Sequence, residues 1–267
     1  MVPIALTIAG SDSGGGAGIQ ADLKTFSALG VYGASVITAL TAQNTRAVTM
    51  VEAASPAMIA AQIAAVFDDL DVRALKLGML GGADAIETVA EGLAEQAMPL
   101  VLDPVMVAKS GDRLLQPDAL QTLRIALLPM ATLVTPNLPE AADLLDTAPA
   151  RTEAEMIAQG HALRDLGARA VLMKGGHGTG AVCVDLLIEA NTTTRLTAPR
   201  RTTLNTHGTG CTLSAAIVAG LAQGMALSDA VRRAHGYLQG AIAGADGLGV
   251  GSGHGPVHHF HKVWAHV

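Results

Sequence analysis

The sequence predicts an α/β fold, a mostly parallel central sheet flanked by helices in three layers, and three observations carry that expectation. Short runs rich in Val, Ile and Leu alternate with longer segments of helical spacing along the 267 residues. Several short runs are apolar without alternation, as in strands covered on both faces. Half of the residues are hydrophobic and 15% are charged, enough apolar chain to bury a sizeable core. No repeat, linker or charge block divides the chain, so one domain over residues 1–267 is expected.

The elements follow in order. Met1-Val2-Pro3-Ile4 carries no basic leader, and a strand is expected at 4–8. A Gly-rich loop then opens a helix in which Ile19, Leu23, Phe26 and Leu29 recur at three or four residues, with Gly30 as its stop. A strand at 35–40 leads to a helix at 56–70, where Pro56 suits the first turn. A strand at 74–77, a helix at 83–96 and strands at 99–102 and 132–134 come next. A helix at 152–166 precedes strands at 170–173 and 180–187 and a shorter one at 192–196. The stretch 212–223 reads as helical, and a last helix at 228–243 has Ser228 as its expected N-cap.

Composition excludes several classes of partner. The net charge is −6, against a phosphate-backbone partner, which needs clustered Lys and Arg. Six aromatic residues are too few for a base-stacking surface. No uninterrupted apolar stretch reaches the ~18 residues of a membrane span. Cys183 and Cys211 make no disulfide framework and fit a reducing compartment, so a cytoplasmic location is expected.

Ligands of open α/β sheets collect beyond the carboxyl ends of the strands, and here six successive strand ends carry polar, charged or Gly-rich sequence. Gly16-Ala17-Gly18-Ile19-Gln20-Ala21 fits a dinucleotide fingerprint, yet residues 31–44 contain no acid to hold a ribose. A dinucleotide-dependent oxidoreductase is therefore disfavoured, and the glycines serve equally as a tight turn. Lys24-Thr25 follows Leu23 where a P-loop requires glycine. The stronger signal is Asn205-Thr206-His207-Gly208-Thr209-Gly210-Cys211 running into a helix. Glycines astride a threonine let backbone N–H groups converge at a helix start, a nest for an anionic phosphoryl group. The helix dipole there favours a thiolate at Cys211; inert packing of that cysteine is the plain alternative.

Asp103 ends one strand and Glu140 follows another, so the pair could place Mg²⁺ directly or through its waters. The plainer roles are a turn initiator for Asp103 and a first-turn helix acid for Glu140. Lys174, at a strand end, is either a phosphate neutraliser or a solvated lysine. Met79 is core filler by default. His254, His258, His259, His261 and His266 crowd the C-terminus without zinc-site spacing and are assigned a structural or surface role.

Taken together, these pieces resemble the hydroxymethylpyrimidine/phosphomethylpyrimidine kinases of thiamine biosynthesis, in the ribokinase-like superfamily. The likeness runs nearly end to end. It is carried by residues 8–24 with Gly15-Gly16-Ala17-Gly18, by Thr41-Ala42-Gln43-Asn44-Thr45, and by Lys76-Leu77-Gly78-Met79-Leu80. It continues through Asp103-Pro104-Val105-Met106 with Lys109-Ser110-Gly111, Thr135-Pro136-Asn137 with Glu140, and Lys174-Gly175-Gly176-His177. Asn205 to Thr212 and Gly255-Pro256-Val257-His258-His259 complete it.

The resemblance implies a ribokinase-like fold, ATP and Mg²⁺. It implies phosphorylation of 4-amino-5-hydroxymethyl-2-methylpyrimidine and then of its monophosphate. Gln43 would bond the aminopyrimidine edge, Met79 and Val105 would pack on the ring, and Asp22 and Ala17 would complete the substrate pocket. Asn137, Lys174 and Thr206 would approach ATP, and Glu140 and Asp103 would organise the magnesium. Gly208, Thr209, Gly210 and Cys211 would form the anion hole, with a cysteine where many sugar kinases of the superfamily place an aspartate base. A homodimer is implied too. Gly14 departs from the family, standing where a second serine is expected. A pyridoxal kinase is the alternative within the same fold, and a non-catalytic sensor that keeps the pocket is a third reading.

Overall fold

The structure is a computed structural model that describes residues 1–106, 118–176 and 180–264. Lys109, Ser110, Gly111, His177 and His266 lie outside the described residues. The chain runs β1 (Ile4–Asp12), α1 (Gly18–Ala28), β2 (Tyr32–Gln43), β3 (Val48–Ala53), α2 (Pro56–Asp69), β4 (Val72–Leu77) and α3 (Ala83–Leu93). It continues with β5 (Leu100–Leu102), α4 (Ala119–Thr122), β6 (Leu133–Val134), α5 (Leu138–Leu145), α6 (Glu153–Asp165) and β7 (Val171–Lys174). β8 (Val182–Ile188), β9 (Thr193–Pro199), α7 (Thr209–Ala222) and α8 (Leu227–Ala243) complete it.

The strands form one sheet in the order β3-β2-β1-β4-β5-β6-β7-β8-β9. The strands from β2 to β7 pair in parallel, while β3 at one edge and β8 and β9 at the other are antiparallel. This is the expected α/β architecture. Strand alternation divides the core between two faces. Leu6, Ile8, Leu75, Leu77, Leu100 and Leu102 point to the layer of α2, α3, α5 and α6. Ala5, Ala74, Val101 and Leu133 point to α1, α7 and α8. The small residues on the second face let α7 settle close to the sheet. Helix α7 is buried on nearly every side from Thr212 to Gly220, as expected of a helix apolar all round. Its first turn therefore has a fixed position.

Five local expectations need correction. β1 and β2 run past their apolar cores to Asp12 and Gln43, so residues expected in loops are held by sheet bonds. Strand β3 lies outside the expected elements: Thr49 and Glu52 interrupt Val48, Met50 and Val51, which sit on an edge strand exposed along most of its length. The helical segment at 119–130 is not among the expected elements, and the short helix α5 is foreshadowed only by the first-turn role of Glu140. Helix α3 ends at Leu93, three residues before the expected Gln96. Ser228 is not the N-cap of α8: Ala226 holds that position, and no side chain caps it. Pro56 does sit in the first turn of α2, behind Ser55, whose Oγ accepts from the Met58 amide.

Candidate active site

The carboxyl ends of the parallel strands open on one cleft of about 670 Å³. Ala17, Gln43, Met79, Asp103, Val105, Asn137, Glu140, Lys174, Thr206, Gly208, Thr209, Gly210 and Cys211 all line it. Asp22 alone of the expected site residues does not. Its carboxylate is fully buried, accepting from Lys76 Nζ at 2.6 and 2.8 Å and from Thr7 Oγ1 at 2.7 Å. The physical reason lies in the helix: Asp22 is one turn into α1 and faces the sheet, so its contact is to the cleft-lining Lys76.

Two glycine loops close the cleft floor by approaching each other. Gly208 lies in the left-handed region at φ 79°, and a Cβ there would stand 1.9 Å from Gly16 O. Gly208 is the N-cap of α7 and has no side chain to cap it. Among the described residues, the Thr209 amide bonds Thr206 O and the Thr212 amide bonds Gly208 O, whereas the Gly210 and Cys211 amides have no protein acceptor. Two donors thus face the cleft at the positive end of the helix dipole. The Gly-rich loop is organised by Asp12, whose carboxylate accepts from the amides of Gly14, Gly16 and Ala17. Burial raises the Asp12 pKa, but His207 and these amides outweigh it and hold the carboxyl below its ordinary value.

A second cluster lies at the ends of β5, β6 and β7. Lys174 Nζ contacts Asp103 Oδ1 at 2.9 Å and Glu140 Oε2 at 3.8 Å. Thr135 Oγ1 and Ser214 Oγ also donate to Asp103. Burial works against the charged Asp103, yet Lys174 and Lys76 outweigh it and lower its pKa. Burial pushes Glu140 up to about 7, against the pull of Lys174 and with Asp103 adding to the rise. The plainer role expected of Glu140 is present as well. It forms a capping box with Asn137, whose Oδ1 accepts from the Glu140 amide at 2.9 Å while the Asn137 amide donates to Glu140 Oε2 at 2.7 Å. Lys174 is not a solvated lysine, since its side chain is 15% exposed.

Cys211 is half-buried at the first turn of α7. Burial pushes its thiol up to about 11, opposed by Lys76 and reinforced by Asp22 and Asp103. The expected lowering by the helix start is thus overridden by desolvation. Met79 is both core and wall: it is 9% exposed, lines the cleft, and its carbonyl accepts from Gly10 and Thr38.

Lys76, Asp12 and His207 were given no role from the sequence. Lys76 is a lysine inside an apolar strand, a signal that a buried charge has a partner. His207 Nε2 lies 2.9 Å from Asp12 Oδ2 and 3.3 Å from Gln43 Nε2, tying the glycine loop, the end of β2 and the start of α7 together. Nothing local marks it, because its partners lie 195 and 164 residues away. Of the C-terminal histidines, His258 and His259 are buried, and burial lowers the His259 pKa to about 3. Among the described residues, no group of three or more His, Cys, Asp or Glu could hold a metal ion.

Comparison with known proteins gives the same picture. The phosphomethylpyrimidine kinase family profile matches residues 12–258. A hydroxymethylpyrimidine/phosphomethylpyrimidine kinase of Rhizobium meliloti (strain 1021) is 59% identical over 264 residues, covering 99% of each chain. The crystal structure of phosphomethylpyrimidine kinase from Clostridium difficile 630 superimposes with a TM-score of 0.81 at 44% identity, over 90% of this chain and 99% of that one. The pyridoxal kinase of Staphylococcus aureus in complex with AMP-PCP and pyridoxal gives a TM-score of 0.90 at 32% identity, over 100% of this chain and 96% of that one. With the family profile matched over residues 12–258 and a relative 59% identical over nearly the whole length, the chain belongs to the hydroxymethylpyrimidine/phosphomethylpyrimidine kinase family.

Proposed function

We propose that this single-domain protein transfers the γ-phosphoryl group of ATP to the hydroxymethyl oxygen of 4-amino-5-hydroxymethyl-2-methylpyrimidine, and then phosphorylates the resulting monophosphate. The observation that carries this reading is the pair of unpartnered amides, Gly210 and Cys211, in the same cleft as the Asp103–Lys174–Glu140 cluster. Gly210 adjoins that cluster, since a Cβ there would lie 3.4 Å from both Asp103 Oδ2 and Lys174 Nζ. Phosphoryl transfer needs positioning and charge neutralisation above all, and this arrangement supplies both from the chain itself. The amides receive the transferring oxygens, Lys174 neutralises nucleotide phosphate, and Asn137 and Thr206 border the nucleotide. Gln43 meets the aminopyrimidine edge, with Ala17, Met79 and Val105 around the ring.

Glu140 and Asp103 suit Mg²⁺, which uses one or two carboxylates and keeps several waters. The donors fit: two carboxylates share one lysine, and Glu140 Oε1 has no hydrogen-bond partner among the described residues. Bound there, magnesium would neutralise charge on the phosphates. As the acceptor oxygen bonds the γ-phosphorus, the bond to the ADP oxygen breaks and ADP leaves; the hydroxyl proton goes to Cys211 Sγ in its thiolate form, the proposed receiver at the mouth of the anion hole. Lys76 favours the thiolate electrostatically, while burial resists it.

Phosphorus NMR of the products formed from ATP, Mg²⁺ and the hydroxymethylpyrimidine tests the reaction: mono- and then diphosphate are expected, and ATP consumption without either refutes it. Cys211→Ala should lower single-turnover rates by about 10²–10⁴; rates within tenfold of wild type would remove the thiol from proton transfer. An ADP-release assay with pyridoxal addresses the alternative substrate, and a higher kcat/KM for pyridoxal would overturn the pyrimidine assignment. We further propose a cytoplasmic homodimer. Its support is two free cysteines and an apolar face at the β2–β3 edge, where Leu40 and Met50 are exposed. Light scattering decides the oligomeric state.

A further inference from the structure

Gln43 is held at the end of β2 by two neighbours whose own hydrogen bonds are already committed. Thr41 Oγ1 lies 2.9 Å from Ser11 O and 3.2 Å from Gln43 Oε1. His207 Nε2 lies 2.9 Å from Asp12 Oδ2 and 3.3 Å from Gln43 Nε2. A threonine hydroxyl has one hydrogen, and Ser11 O is a carbonyl that can only accept, so that hydrogen goes to Ser11. What Thr41 turns toward Gln43 is a lone pair. Asp12 is a carboxylate gathering three backbone N–H groups, so His207 Nε2 must carry a hydrogen toward it. That hydrogen is committed to Asp12, so His207 Nε2 has no lone pair to accept from Gln43 and can only share the same N–H with it.

With its oxygen toward Thr41 and its nitrogen toward His207, the amide would set lone pair against lone pair and N–H against N–H. A half-turn of the amide exchanges the two ends, turns the Thr41 contact into an N–H···O hydrogen bond, sets the amide oxygen against the N–H that His207 shares with Asp12, and displaces no other heavy atom. We propose that Thr41 and His207, backed by Ser11 and Asp12, are positioning residues that lock the Gln43 amide with its nitrogen toward Thr41 and its oxygen toward His207, and that this lock makes the enzyme select a 4-aminopyrimidine over a 4-oxopyrimidine. The inference rests on the reading that Gln43 meets the pyrimidine edge.

The locked amide keeps one N–H and one oxygen lone pair for the ligand, in fixed places. A 4-aminopyrimidine offers the complement, a ring nitrogen that accepts beside an amino group that donates. A 4-oxopyrimidine in its lactam form offers the reverse, a ring N–H beside a carbonyl. A free amide would flip to meet either; the locked one cannot without breaking its hydrogen bond to Thr41 and turning its own N–H groups on that of His207. Sites that commit buried polar groups in this way discriminate strongly, because the wrong partner leaves them unpaired.

The test compares kcat/KM for 4-amino-5-hydroxymethyl-2-methylpyrimidine and its 4-oxo counterpart in wild type, Thr41→Val and Thr41→Ser. Wild type is expected to prefer the amino compound by about 10²-fold or more. Thr41→Val should cut that ratio about tenfold or more through the pyrimidine KM, with the ATP KM nearly unchanged, and Thr41→Ser should restore it. An unchanged ratio in Thr41→Val overturns the proposal. Should that variant fold poorly, wild type alone decides by NMR: nuclear Overhauser contacts from the Gln43 amide hydrogens to Thr41 support the lock, and contacts to the His207 ring overturn it. A wild type that phosphorylates neither pyrimidine refutes the substrate reading of Gln43, while the NMR contacts still decide the amide orientation.

Discussion

Two buried lysines border the same cleft in different company. Lys76 has one carboxylate, Asp22, gripped through both oxygens, and both side chains are 0% exposed. Lys174 is shared by two carboxylates, Asp103 at 2.9 Å and Glu140 at 3.8 Å, and keeps 15% of its side chain open. The first pair balances its own charge and sits on the inner face of α1, so it is a fixed electrostatic support under Cys211. The second group has one cation for two acids, and that surplus of negative charge in a cleft is what an added cation would relieve. Burial keeps Glu140 near 7, so the second cluster can change its charge around neutrality while the first cannot.

The sharpest way to break this contrast is to remove one member of the sealed pair. Lys76→Met or Asp22→Asn leaves a buried charge without a partner and should cost about 3–5 kcal/mol of stability. The double variant should recover much of that loss in denaturant titrations. Equal losses in single and double variants would mean that packing, and not charge, sets the cost.

The shared cluster should fail differently. Lys174→Met should lower kcat by about 10²–10³ if it neutralises the transferring phosphate, while its unfolding midpoint moves less than that of Lys76→Met. Steady-state kinetics beside thermal melts separates the two behaviours. A stability loss as large as that of Lys76→Met would erase the distinction between support and working charge.

The smallest effect concerns pH. Glu140 titrates at about 7 in the folded chain against an ordinary 4.5, so folding takes up a proton there between those values. Its contribution favours the folded state below pH 4.5 and is lost as pH rises through 7. Glu140→Gln, always neutral, lacks that slope, so relative to wild type it should gain about 1–3 kcal/mol on going from pH 4 to pH 8. A stability difference that is flat with pH would place the Glu140 carboxyl at its ordinary value.

The contrast between the lysines also marks where sequence reasoning stops. Lys174 ends an apolar strand and could be proposed as a phosphate partner from its place alone. Lys76 lies within an apolar strand, and its partner lies 54 residues earlier on α1, so neither its charge state nor its target could be read locally. The resemblance implies Asp22 in the substrate pocket; the turn of α1 points it inward to Lys76 instead. The capping box at Asn137 and Glu140 has a local signature, yet α5 is too short to declare itself by periodicity. Edge strand β3 is short and its apolar residues Val48, Met50 and Val51 are broken by Thr49 and Glu52, so it makes neither a continuous run nor a clean alternation.

The order of amino acids alone determined the layered α/β architecture, the run of polar strand ends and the Gly-Thr-Gly-Cys helix start, because each depends on hydrophobic periodicity or on backbone freedom within a few residues. Only the folded chain decided who pairs with whom: His207 with Asp12, Lys76 with Asp22, Lys174 between Asp103 and Glu140, and the reluctance of the Cys211 thiol to ionise. Those outcomes depend on desolvation and on charges brought together across the sheet. Both are set by distance in space, and separation along the chain carries no record of it.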